Sequence, residues 1–228
     1  MKKKVLIIAA HPDDEVLGCG GTIAKLAAQG EEVHILILAT GLTSRVGFDM
    51  AKDAEALKIH LERASRAGAL LGAKNVNFGG LPDQKMDTLP LLEVTQRIEA
   101  EIESIKPQTI FTHHGGDLNM DHVITFRATL TATRPMSGSV VRAVYTYEVP
   151  SSTEWAFQKF EPKFQPNLFH DIGETIEKKI QAMQIYESET REFPHPRSPQ
   201  ALEAIAKRWA SVCGIKAAEA FEIIWECR

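Results

Sequence analysis

Two short stretches carry most of the residues able to do chemistry. The first, HPDDE at residues 11–15, sets a histidine, two adjacent aspartates and a glutamate directly behind the aliphatic run KVLIIAA. Charges without partners are costly away from water, so a chain heading for the interior must provide these groups with one. The second, HHGGDLNMDH at residues 113–122, follows another short apolar run and adds His113, His114, Asp117, Asn119, Asp121 and His122. A divalent metal answers the need. His11 and Asp14 offer a nitrogen and an oxygen within one turn, and His122 adds a second nitrogen from the remote loop. Two histidines and a carboxylate suit Zn2+, with bonds of about 2.0–2.2 Å and a position left open for water. Fe2+ is the alternative for the same donor set.

Asp13 and Asp14, being adjacent, cannot both point the same way from an extended turn. One can bind the metal while the other, Asp13, faces the water. Zinc lowers the pKa of its water towards about 7 and polarises a carbonyl, and a neighbouring carboxylate can take the proton and return it to a departing amine. That is the equipment for amide hydrolysis, with Asp13 as general base and acid.

The positioning elements follow from pattern. Residues 4–9 and 33–39 are continuous aliphatic runs, as strands buried on both faces of a parallel sheet require. Helical spacing covers 15–29 and 52–71, closed by Gly30 and Gly72. A short strand at 75–78, a helix at 89–105 ended by Pro107, a strand at 109–113, a helix at 121–133 and a strand at 140–149 continue the alternation. This predicts an α/β, Rossmann-like three-layer fold with a mostly parallel sheet flanked by helices. Beyond it, 150–166 lacks periodicity, helices are expected at 173–186 and 199–212, and a last strand at 221–225. No repeat or linker divides the chain, so residues 1–228 are expected to form a single domain. In open parallel sheets ligands collect beyond the carboxyl ends of the strands, so the two polar loops should converge there.

Composition narrows the class. With 26 basic and 30 acidic residues the formal net charge is −4, which leaves no field for a polyanion and argues against nucleic acid. No stretch approaches the roughly 20 apolar residues of a membrane span, and Lys2–Lys4 are followed by too short an apolar run for a signal peptide. The three cysteines are widely spaced and odd in number, fitting reduced thiols in a cytoplasmic protein. GCGGT at 18–22 departs from a dinucleotide fingerprint, since Ile23 stands at its last glycine; close packing of helix on sheet is the simpler reading.

Each candidate has a plainer alternative. HPDDE could be a solvated turn favoured by the dipole of the next helix. Glu15 suits that helix-start role, or an outer carboxylate that supports the ligands. Asp117 is read as supporting, and Asp121 either accepts a proton from a ligand histidine or caps its helix. Arg45, His195 and Arg197 are candidate substrate contacts or surface groups. Asp83 and Asp87 could equally be turn formers, Asp83 following Pro82, and His34, His60 and His170 read as structural. Trp155, Phe157, Phe160 and Phe164 fill the core or form a subunit contact.

AHPDDE at 10–15 together with DLNMDH at 117–122 resembles the LmbE-like, or PIG-L, de-N-acetylase family, with further similarity in GLTSR at 41–45, LPDQKMD at 81–87, PHPRS at 194–198 and AEAF at 218–221. The resemblance spans nearly the whole chain. It implies a zinc-dependent hydrolase that removes acetyl from an N-acetylglucosamine-type sugar, with His11, Asp14 and His122 as metal ligands, Asp13 as base, and a homo-oligomeric state. Several members carry a histidine three residues before the last ligand, implicated in oxyanion stabilisation or proton transfer; here Asn119 stands there. Asparagine can donate to an oxyanion but carries no titrating proton, which leaves His113 and His114 as alternatives. The rival readings are an Fe(II) enzyme with a facial triad, and a noncatalytic metal- or sugar-binding module.

Overall fold

The computed structural model describes residues 2–42, 47, 49 and 52–227. The first half alternates strictly: β1 (Lys4–Ala9), α1 (Asp14–Ala28), β2 (Glu32–Ala39), α2 (Ala54–Leu71), β3 (Asn75–Leu81), α3 (Leu91–Ile105), β4 (Thr109–His113), α4 (Met120–Ala132) and β5 (Ala143–Tyr147). Then come β6 (Leu168–Asp171), α5 (Ile176–Ile185), α6 (Pro199–Cys213) and β7 (Ala218–Glu226), with 3-10 turns at Met86–Thr88 and Glu154–Ala156. All strands join one sheet in the order β3-β2-β1-β4-β5-β7-β6. β1 to β5 pair in parallel, whereas β7 runs antiparallel to both β5 and β6.

β1 is central because it is apolar on both faces. Val5, Ile7 and Ala9 pack under α1, α2 and α5 with Leu17, Ala64 and Met183. Leu6, Ile8 and Ala10 face the other layer, with Val94, Ile98 and Ala128 of α3 and α4. Helices thus cover both sides, giving the expected three layers. The first two crossovers lead to one side of β1 and the next two to the other. The carboxyl ends of β1 and β4 therefore flank the switch point, where a crevice opens.

The glycines of α1 are packing residues. A Cβ at Gly18 would lie 2.2 Å from Tyr147 Cδ2 and one at Gly21 2.8 Å from Ile172, so the helix descends onto the sheet where only hydrogen fits. Its docking is reinforced by a buried ion pair: Lys179 Nζ donates to Glu219 Oε1 (2.6 Å) and to the Leu17 carbonyl (2.7 Å), while Glu219 accepts the amides of Gly21 and Thr22.

Three expectations are corrected. β6 lies where no strand was expected. β7 starts three residues earlier than the run at 221–225, and β5 is confined to 143–147. Of the four aromatics, Phe164 packs on His114 and Trp209, while Phe157 and Phe160 are exposed and Trp155 partly so. Among the described residues no helix is long and apolar enough to cross a membrane, and Cys19, Cys213 and Cys227 are free thiols.

Candidate metal centre and active site

β1 ends at Ala9, and the chain turns sharply through Ala10–Pro12 into α1. Asp13 occupies the N-cap with φ 112° and ψ −28°, a conformation that costs a non-glycine residue about 1–3 kcal/mol. Glu15 holds it there. Its Oε2 accepts the Asp13 amide at 3.1 Å and its Oε1 accepts the Tyr186 hydroxyl at 2.5 Å. Burial pushes the Glu15 carboxyl up to about 7, against these hydrogen bonds. Such a turn sends the Asp13 and Asp14 side chains in different directions.

Asp14 is the hub. Its Oδ2 accepts the His11 amide at 2.8 Å, and lies 3.2 Å from His11 Nδ1 and 3.3 Å from His122 Nε2. Two bonds of about 2.0–2.1 Å at a tetrahedral angle separate donor atoms by about 3.3 Å, so these spacings fit one zinc-sized ion. His11, Asp14 and His122 are all buried, and their donor atoms lie within 4.8 Å of one another. Both ring nitrogens of His122 are buried and, among the described residues, outside hydrogen-bond geometry; Nε2 is the one that faces Asp14 and so is placed to meet a metal.

Each imidazole is backed by a carboxylate. His11 Nε2 is 3.0 Å from Asp121 Oδ2, and His122 Nδ1 is 3.1 Å from Asp117 Oδ1. Asp117 is fixed by the hydroxyls of Ser152 and Thr153 and accepts the Asn119 amide at 2.8 Å. Asp121 accepts the amides of Gln84 (2.7 Å) and Met86 (3.0 Å). Asp121 therefore faces a histidine rather than capping α4. The cap is Asn119, whose Oδ1 accepts the Asp121 amide at 2.9 Å. His11, Asp83 and Asp121 form a second group of metal-ligand type, but both Asp121 oxygens already accept amides, and a neutral His11 binding metal through Nδ1 keeps its proton on Nε2. This group is built to orient His11.

Electrostatics follow the same logic. Burial disfavours charge on His11, yet Asp121, Asp14 and Asp83 together carry its pKa up to about 10; His122 is carried to about 9 by Asp14 and Asp117. Burial opposes charge on Asp14 too, but the facing imidazoles hold it well below the usual carboxylate range. The pocket is thus built for positive charge, and a metal bound there would compete with protons for its nitrogens. His113 is different: burial and the nearby His122 push it well down, and its Nε2 accepts the Ala10 amide at 2.8 Å while its ring stacks on His122 at 4.0 Å. It packs against His122.

A cleft of about 230 Å³ opens over the cluster. His11, Asp13, Asp14, Asn119, His122 and Arg197 all reach it. Arg197 Nη1 donates to Asp13 Oδ2 at 2.7 Å; burial raises the Asp13 pKa well above the usual value, and Arg197 opposes it. His114 is not brought to the cleft, its nitrogens engaging Glu222 Oε2 and the Pro162 carbonyl, both at 2.8 Å. His195 stands behind Arg197, with Nδ1 accepting the Arg197 amide at 3.1 Å and its ring against Trp155. Arg45 lies outside the described residues. The cleft also takes in His60, Asp83, Gln84, Ser151, Ser152 and Glu189, none of which sequence reasoning had placed in the site. Ser151 and Ser152 carried a usable signal, since they follow β5, a third parallel strand ending on the same side.

Residues 6–133 match the PIG-L family profile, described as GlcNAc-PI de-N-acetylase. A probable N-acetyl-alpha-D-glucosaminyl L-malate deacetylase 2 of Bacillus cereus is 26% identical over 198 residues, covering 83% of this chain and 85% of its own. The structure of an N,N'-diacetylchitobiose deacetylase from Pyrococcus horikoshii superposes with a TM-score of 0.77 at 22% identity, over 97% of this chain and 84% of that one. The 4-carboxy-2-hydroxymuconate hydratase of Pseudomonas putida KT2440 shares the fold to the same degree, with a TM-score of 0.77 at 21% identity over 99% and 98% of the two chains. With more than half its length under the family profile and the carboxylate–histidine cluster at the switch point of its sheet, the chain belongs to the PIG-L de-N-acetylase family.

Proposed function

We propose that the protein is a zinc-dependent hydrolase that removes the acetyl group from an N-acetylglucosamine-type amino sugar. The observation that carries this reading is the convergence of His11 Nδ1, Asp14 Oδ2 and His122 Nε2 at the base of a cleft into which Asp13 also projects. In this reading His11, Asp14 and His122 hold the ion, and Asp121 and Asp117 fix the two imidazoles. A zinc ion there supplies Lewis acidity and a water acidic near neutral pH.

The chain's own residues do the rest. Asp13, buried yet paired with Arg197, receives the proton of the attacking water and delivers it to the departing amine. Asn119 holds its Oδ1 in the helix cap, so its amide nitrogen is the end available to the carbonyl oxygen as negative charge develops. The polar cleft walls, including Gln84, Ser151 and Ser152, suit the hydroxyls of a sugar. The exposed Phe157 and Phe160 support a subunit contact, and the three free thiols a reducing, cytoplasmic setting.

The test is release of acetate from a panel of N-acetylated amino sugars, free and conjugated. It is run after chelation and after reconstitution with Zn2+ or, anaerobically, Fe2+. Acetate released only by the metal-loaded protein is expected, with zinc the more active. Because the same fold carries a hydratase elsewhere, a reconstituted protein that releases no acetate from any member of the panel refutes the proposal.

A further inference from the structure

Arg197 lies 184 residues from Asp13 in sequence, yet its side chain spans three loops. Nη1 donates to Asp13 Oδ2 at 2.7 Å and reaches Glu189 Oε2 at 3.3 Å, while Nε donates to Ser151 Oγ at 2.7 Å. Ser198, the next residue, caps α6 by accepting the Ala201 amide, which anchors the backbone from which Arg197 extends. The guanidinium is thus held through Nε and Nη1 before any ligand arrives. Asp13 is gripped equally: Glu15 fixes its amide and Arg197 takes one carboxylate oxygen. Its Oδ1 accepts no hydrogen bond from the described residues, and the residue lines the cleft.

We propose that Arg197 is a positioning residue for Asp13: by occupying Oδ2 it fixes the carboxylate plane and leaves Oδ1 as the proton acceptor presented to the cleft. This rests on the deacetylase reading above and assigns Arg197 a role other than a substrate anchor. Arginine is needed because a planar fork can bind a carboxylate with one nitrogen and Ser151 with another, which the point charge of lysine cannot do. Misplacing a reacting group by about 1 Å can cost about 100-fold, which sets the expected size of the effect.

The experiment measures kcat and KM for acetate release by wild type, R197A and R197K on the best substrate of the panel, with zinc content and thermal unfolding followed in parallel. R197A is expected to lose about 100-fold in kcat, with KM within about twofold and zinc content unchanged. R197K should fall between it and wild type. Added guanidinium, well below denaturing concentrations, should restore a large part of the R197A loss. A raised KM at unchanged kcat would make Arg197 a substrate anchor and overturn the proposal. So would a kcat loss that guanidinium does not repair, which would assign the arginine to the fold, or wild-type kinetics in both variants. If R197A does not fold, the kcat–KM split of R197K decides on the same terms. Failure of the deacetylase reading is distinguishable, because it appears first as wild type releasing no acetate, and it removes the base that Arg197 would position.

Discussion

Asp121→Asn tests whether the carboxylates behind the histidines govern metal binding. The native carboxylate is buried and accepts three contacts: the amides of Gln84 (2.7 Å) and Met86 (3.0 Å), and His11 Nε2 (3.0 Å). Asparagine has one acceptor oxygen. If it is kept for Met86, the amide nitrogen becomes a donor facing the Gln84 amide, which is left without an acceptor, while His11 Nε2 keeps only the Asp83 carboxylate at 3.3 Å. A lost hydrogen bond to a charged group is worth about 1.5–3 kcal/mol, and an unsatisfied buried donor costs about 1–3 kcal/mol. The metal-free protein should therefore lose about 2.5–6 kcal/mol, a large share of a stability of about 5–15 kcal/mol. His11 would also lose the nearer of the two carboxylates that face its Nε2, so zinc affinity should fall about 10–100-fold. Urea unfolding of the metal-free variant reads the first quantity, and competition titration with a zinc chelator the second. Wild-type zinc affinity in a folded Asp121→Asn protein would refute the orienting role.

Two further outcomes concern the frame. Lys179→Met should cost about 3–5 kcal/mol in urea unfolding, because it leaves the Glu219 carboxylate buried without its cation; a loss below about 1 kcal/mol would show that the Gly21 and Thr22 amides suffice. His170 packs edge-on against Phe111 and tilted against Phe221, and burial lowers its pKa from 6.5 to about 4. Its neutral form is thus favoured in the fold, so its contribution is complete above pH 6.5 and is lost as the unfolded chain takes up a proton between pH 6.5 and about 4. His170→Gln should lose about 2–3 kcal/mol less stability than wild type between pH 7 and pH 4.5; parallel acid profiles would contradict it.

What could be read in advance followed from local chemistry. β1 and β2 declare themselves because strands buried on both faces need unbroken aliphatic runs, and α6 because Ser198 and Pro199 mark its start. His11, Asp14 and His122 were legible since each directly follows or begins an element at the same end of the sheet. β6 was not: four residues, none fully buried, give no period to detect. The early start of β7 was hidden by Glu219, a residue that reads as exposed until its partner Lys179, 40 positions away, is known. Asp83 looked like a turn former after Pro82, yet it is buried 3.3 Å from His11 Nε2, a placement set by the loop that Asp121 pins. The role of Asn119 as cap, and of Asp121 as partner to His11, turned on which neighbour each side chain reached, and spacing alone does not carry that.

The left-handed backbone at Asp13 sets chemistry against durability. Glycine at that position would relieve the torsional penalty, while removing the carboxylate proposed to move protons. Variants selected only for heat resistance should therefore drift towards glycine there and become inert, whereas selection on turnover keeps the strained acid. Glu15 and Tyr186, which hold the turn from beneath, are where such a lineage would have to compensate.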